Sequence, residues 1–91
     1  MERKEYQEKL EAQIKEWRAE IDKLKAQAEK KTAEGKLEYK ERIKKLEQRV
    51  EQTKEKLDAL KETSSEKWNE VKKEIEKETN EIKAQLRDIL S

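Results

Sequence analysis

The chain has no cysteine, no proline, no histidine and no phenylalanine, and only one glycine. Without cysteine there is no disulfide, no thiolate nucleophile and no thiolate metal site, and the redox compartment leaves no mark on the sequence. Without histidine, the side chain best suited to proton transfer near neutral pH and the commonest metal ligand are both missing. A di-iron helical bundle needs Glu-x-x-His, so that chemistry is excluded as well. A single glycine cannot build a phosphate-cradling loop. Carboxylates such as Glu74 and Glu78 are plentiful, but lysines alternate with them and nothing implies a pocket. No enzyme activity, cofactor or metal is expected.

Charge of one sign is lacking too. Lys plus Arg number 24 and Asp plus Glu number 23, leaving a net charge of +1. A nucleic-acid binder shows a basic face, because its affinity comes from neutralising phosphates. Here acids and bases interleave, and no nucleic-acid partner is expected. No run approaches the roughly 20 apolar residues of a membrane span. The N-terminal MERKEYQEKL has no apolar stretch that would serve as a signal peptide, so a cytoplasmic location is the expectation. Ninety-one residues form one module, residues 1–91.

Charged residues make up 52% of the chain and hydrophobic ones 31%. That composition alone reads as disorder; periodicity argues otherwise. Leu10, Ile14, Trp17, Ile21, Leu24 and Ala28 follow one another by steps of four and three. Tyr39, Ile43, Leu46, Val50, Thr53, Leu57, Leu60 and Ser64 continue the stripe, then Trp68, Val71, Ile75, Thr79, Ile82, Leu86 and Ile89. The stripe is narrow, like the two-per-seven seam of a coiled coil. The expected class is all-α, with these apolar positions as the helix-packing interface. A monomeric core built from so few large apolar residues would be thin. Self-association, or pairing with a partner helix, is therefore expected.

The stretch KKTAEGKLEY holds the glycine, Gly35. Passing through Thr32, Gly35, Tyr39 and Ile43 by steps of three and four, the stripe stays in phase. From Leu10 to Ile89 it averages about 3.6 residues per step, the period of a straight α-helix. Neither Lys36 nor Leu37 is a helix-capping residue. The expectation is one long helix over about 3–62, near 90 Å at 1.5 Å per residue, and a shorter one over about 66–90. Between them, Thr63 and Glu66 match a capping box. The alternative is an antiparallel three-helix bundle about 45 Å long, with turns at 32–36 and 63–65. A continuous helix makes Gly35→Ala stabilising, whereas a left-handed helix cap at Gly35 makes it destabilising.

Trp17 and Trp68 sit in the stripe and read as core anchors rather than ligand-stacking residues. Tyr6 and Tyr39 flank it with their hydroxyls towards solvent. Thr53, Ser64 and Thr79 are polar residues in seam positions. They read as small residues facing large ones, with register specification as the alternative. Glu5–Lys9, Glu11–Lys15, Glu38–Arg42 and Glu41–Lys45 are spaced for helix-stabilising pairs on a solvated face. The third segment is amphipathic, but its polar face carries as much glutamate as lysine, so a membrane surface is not the expected partner.

YQEKLEAQIKEWRAEIDKLKAQAEK, KLEYKERIKKLEQRVEQTKEKLDAL and SSEKWNEVKKEIEK together resemble a group of small bacterial coiled-coil proteins, late-embryogenesis-like and helical, with no established activity. The resemblance covers most of the chain but is compositional apart from the two tryptophans. Similar sequences read Ser-Gly-Asp-Ala-Trp where this one has Ser64-Ser65-Glu66-Lys67-Trp68, and they lack a glycine at Gly35. The resemblance implies a stress-protective helical protein and carries over no functional site; the rival function, reversible lipid-surface binding, rests on the amphipathic third segment alone.

Overall fold

The computed structural model describes residues 3–90; Met1 and Glu2, which open the charged N-terminal stretch, and Ser91 lie outside the described residues. Three helices follow one another: α1 (Arg3–Ala28), α2 (Ala33–Glu62) and α3 (Ser65–Leu90). Cross-helix pairs such as Lys61 with Glu11 and Lys25 with Glu47 make α1 and α2 antiparallel. Lys56 with Glu78 does the same for α2 and α3. The result is an up-down-up bundle with principal extents of 50 × 19 × 18 Å.

The expected continuous helix over 3–62 is therefore corrected: the chain reverses at residues 29–32. The physical reason lies before the glycine. Lys30 N–H donates to the Gln27 carbonyl at 3.1 Å and Lys31 N–H to the Ala28 carbonyl at 3.2 Å, three-residue bonds that tighten and end α1. Thr32 is extended (φ −64°, ψ 160°), and its carbonyl accepts the first bond of α2 from Lys36 N–H at 2.7 Å. The Glu29 carboxylate straddles the turn, 2.7 Å from Lys36 Nζ and 3.0 Å from Lys40 Nζ. Gly35 is the third residue of α2, and no described residue has a positive φ. The three-helix alternative is the one observed, with its first turn earlier than 32–36.

The second break falls where the serine–threonine cluster places it, but Thr63 and Glu66 do not form a capping box. Thr63 closes α2: its N–H donates to the Leu60 carbonyl at 3.1 Å and its hydroxyl to the Ala59 carbonyl at 2.7 Å. Ser64 precedes α3, and its carbonyl accepts from Lys67 N–H (3.2 Å) and Trp68 N–H (3.0 Å). Arg3 Nη2 donates to the Thr63 carbonyl at 2.7 Å, tying the start of α1 to this turn.

The narrow stripe closes on itself within one chain. Leu10, Ile14, Trp17, Ile21, Leu24 and Ala28 of α1 meet Ile43, Leu46, Val50, Leu57 and Leu60 of α2 and Trp68, Ile75, Ile82 and Ile89 of α3 in a single core. At about 1.5–3 kcal/mol per large apolar side chain buried, three facing strips supply what one strip cannot. The shared seam between chains is thus not needed to bury these residues. Among the described residues no helix is long and apolar enough to cross a membrane.

Candidate helix-pairing surfaces

Each pair of helices is joined by different chemistry. Along α1 and α2, Arg18 pairs with Glu51 at 3.1 Å, Lys25 with Glu47 at 3.1 Å and Lys61 with Glu11 at 2.5 Å. All six side chains are largely open to solvent, where such pairs are individually weak. The Lys61 ammonium nonetheless draws the Glu11 carboxyl below its ordinary range, and Glu11 raises Lys61 in return. Lys36 and Lys40 lower Glu29 in the same way at the turn.

Between α2 and α3 the polar contacts run deeper. Thr53 is fully buried, its hydroxyl 3.1 Å from Glu78 Oε2 and 2.9 Å from the Arg49 carbonyl. Its one proton serves a single acceptor at a time. Lys56 Nζ donates to Glu78 Oε1 at 2.6 Å, and Arg49 Nη1 donates to Glu81 Oε2. This network holds α2 and α3 together as a hairpin. It is not fully satisfied, since Arg49 Nε is buried without a hydrogen-bond partner, and Gln85 Oε1 elsewhere on α3 is likewise unpaired. Such atoms keep a desolvation penalty of about 1–3 kcal/mol.

The α1–α3 side lacks both kinds of clasp. No Cα of α1 comes within 8 Å of a Cα of α3. An open groove of about 580 Å³ runs between the two, with Tyr6, Lys9 and Gln13 on one wall and Lys72, Glu76 and Lys83 on the other. Ring contacts between the two lie at the end beside the second turn. There the Tyr6 and Trp68 rings meet edge to face, centroids 5.6 Å apart at 71°. Lys72 Nζ lies 5.1 Å from the Tyr6 ring and 5.5 Å from the Trp68 ring, and the Arg3 guanidinium lies 5.6 Å from the latter. Burial, and then Glu76, raise the Tyr6 hydroxyl above its usual range. The buried indole N–H of Trp68 has no hydrogen-bond acceptor.

No protein-family model, curated protein or solved structure matches the chain.

Of the sixteen Leu, Ile, Val and Trp positions of the stripe, the structure buries all but Val71 and Leu86, which are half-buried against the core. Both tryptophans lie in the core, as do the flanks of Tyr6 and Tyr39, and the Tyr39 hydroxyl reaches Gln27 Oε1 at 3.3 Å. Ser64 is exposed in the turn, and Leu37 stands 71% exposed, outside the core. Of the four helical pairs expected from spacing, Glu38–Arg42 forms at 2.9 Å, whereas Glu11 turns instead to Lys61 on α2. The residues missed are Arg49, Lys56, Glu78 and Glu81, which look like ordinary surface charges in the sequence. Their signal is position: they border the stripe on facing flanks of α2 and α3. Among the described residues no group of three or more His, Cys, Asp or Glu comes together that could hold a metal.

Proposed function

We propose that the chain is a structural interaction module without catalysis, whose working surface is the α2–α3 hairpin acting as a receiver for one further helix. The unequal attachment of α1 carries this reading. The hairpin is fastened by the Thr53–Glu78–Lys56 network and by Arg49–Glu81. By contrast, α1 is held to α2 by its apolar stripe and solvent-exposed ion pairs, and its ring and cation contacts with α3 lie at the Arg3–Tyr6–Trp68–Lys72 end. A helix carrying the pattern of Leu10, Ile14, Trp17, Ile21 and Leu24, from another copy or a partner, fits the same trough. Helix-in-groove recognition uses such anchors at i, i+4 and i+7. The absence of histidine and cysteine supports the non-catalytic part of the proposal. A cytoplasmic setting accords with it.

The test is a fluorescent peptide of residues 3–28 added to the intact chain, followed by anisotropy as temperature rises towards the unfolding midpoint. Binding should appear as α1 loosens and vanish when the peptide carries Trp17→Asp. A peptide that binds at no temperature below the midpoint refutes the receiver.

A further inference from the structure

We infer that the helix received is α1 of a second copy: residues 29–32 rewind into helix, α1 and α2 fuse, and two chains exchange their first helices. The inference rests on the receiver reading above and names its occupant.

The turn itself is the first support. Glu29, Lys30, Lys31 and Thr32 include neither glycine nor proline, and none of them has a positive φ. All four tolerate a helix, and Thr32, which precedes α2, makes no side-chain capping bond that rewinding would forfeit. The bonds from Lys30 and Lys31 back to Gln27 and Ala28 need only shift by one carbonyl to become α-helical.

Register is the second support. Ala28, Thr32, Gly35, Tyr39 and Ile43 are spaced by four, three, four and four residues, so a fused helix would carry the α1 and α2 stripes on one face. Two fused helices side by side and antiparallel would then place each α1 against the other chain's α2, repeating every α1–α2 contact of the closed bundle. A turn chosen without regard to phase would rotate one stripe away from the other. Helix exchange conserves contacts and is a low-cost route to dimers.

The closed form has a clasp that the fused helix cannot keep within one chain. Glu29 pairs with Lys36 and Lys40 across the turn. Along a straight helix those lysines would lie about 10 and 16 Å further on.

Two variants push the equilibrium in opposite directions. Ala33 is the first residue of α2, where the amide has no intrahelical partner and proline is well tolerated; Thr32 before it is already extended, as a residue preceding proline prefers. Ala33→Pro therefore suits the closed turn, but in a fused helix it costs about a hundredfold in the equilibrium constant per hinge. Deleting residues 29–32 removes the turn while leaving Ala28, Gly35, Tyr39 and Ile43 in phase. Mass is read by light scattering after refolding over a range of concentrations. The wild-type chain should show a concentration-dependent species at twice 11.0 kDa. Ala33→Pro should abolish that species, and the deletion should be dimeric throughout. A wild-type dimer that survives Ala33→Pro unchanged overturns exchange and leaves the receiver standing with another occupant. A wild-type chain monomeric at every concentration also overturns exchange, and the peptide assay then decides the receiver separately. Should the deletion fail to fold, wild type against Ala33→Pro still settles the matter.

Discussion

Replacing Thr53 with valine separates two explanations for a polar residue in the seam. If the threonine is there for its size, valine is a near-isosteric and more apolar substitute, and helix propensity hardly changes. If its hydroxyl matters, the change removes a bond to a charged acceptor, Glu78 Oε2, 3.1 Å away at a fully buried position. Hydrogen bonds to charged groups are worth about 1.5–3 kcal/mol, and the added buried methyl returns up to about 0.8 kcal/mol. The net expected loss is about 1–2 kcal/mol, which lowers the melting temperature of a chain this size by about 5–15 °C. Thermal and urea unfolding followed by circular dichroism measure it. A double-mutant cycle with Glu78→Ala isolates the pair, and a coupling of about 1 kcal/mol is expected from residues in direct contact. Thr53→Val as stable as wild type, with coupling near zero, would refute the hydrogen-bond account and restore the size account.

Gly35→Ala should stabilise by up to about 1 kcal/mol, because Gly35 is helical and the new Cβ would meet only Thr32 Oγ1 at an ordinary 3.5 Å; Gly35→Glu, which completes a Thr32-x-x-Glu capping box, should stabilise further, and a lower melting temperature for both would contradict the placement of the turn. Leu46→Asp and Ile75→Asp should each cost several kcal/mol in chemical denaturation, since both are fully buried and an unpaired charge there is expensive; two small effects would mean the core is not closed. Stability should be flat near neutral pH and fall on both sides. The lowered carboxyls of Glu11, Glu29 and Asp58 contribute above their unfolded values and lose that contribution as pH drops through their folded ones. The raised Lys61 and Tyr6 contribute fully below their unfolded values, about 10 for each type, and lose it as pH climbs through the folded ones. A melting temperature that rises on acidification through the carboxylate range would reverse the assigned signs.

The packing positions were legible because burial in a helix follows a 3.6-residue period, and that period is written in the apolar residues from Leu10 to Ile89. The same regularity hid the first turn. Thr32, Gly35, Tyr39 and Ile43 keep the stripe in phase across residues 29–32, so periodicity cannot tell a reversal from a continuation. Nor does the turn use the glycine: Gly35 lies past it, and its clasp is made by Glu29 with Lys36 and Lys40, residues too far apart along a helix to pair. For that reason Gly35→Ala is expected to stabilise the bundle just as it would a rod, and its sign does not distinguish them. The second turn was visible in Thr63, Ser64 and Ser65, though their roles had to be seen in space. Least legible was the α2–α3 network. Arg49 and Glu81 are 32 residues apart, and nothing in the sequence joins them until the helices fold back.

The distribution of charge on α2 has a consequence for chirality. An apolar stripe is indifferent to whether α1 or α3 lies on its left, so two mirror-related arrangements of the same helices would bury the same residues. The flanks of α2 differ. Glu47 and Glu51 border the flank facing Lys25 and Arg18 of α1, whereas Arg49 and Lys56 border the flank facing Glu81 and Glu78 of α3. Exchanging the places of α1 and α3 would turn the opposite flank of each helix to its neighbour and separate the partners of these pairs. Lys61 opposite Glu11 runs against this pattern, at the end where Arg3 already anchors α1. These pairs are thus specific to one hand of the bundle, a distinction that the apolar stripe does not make.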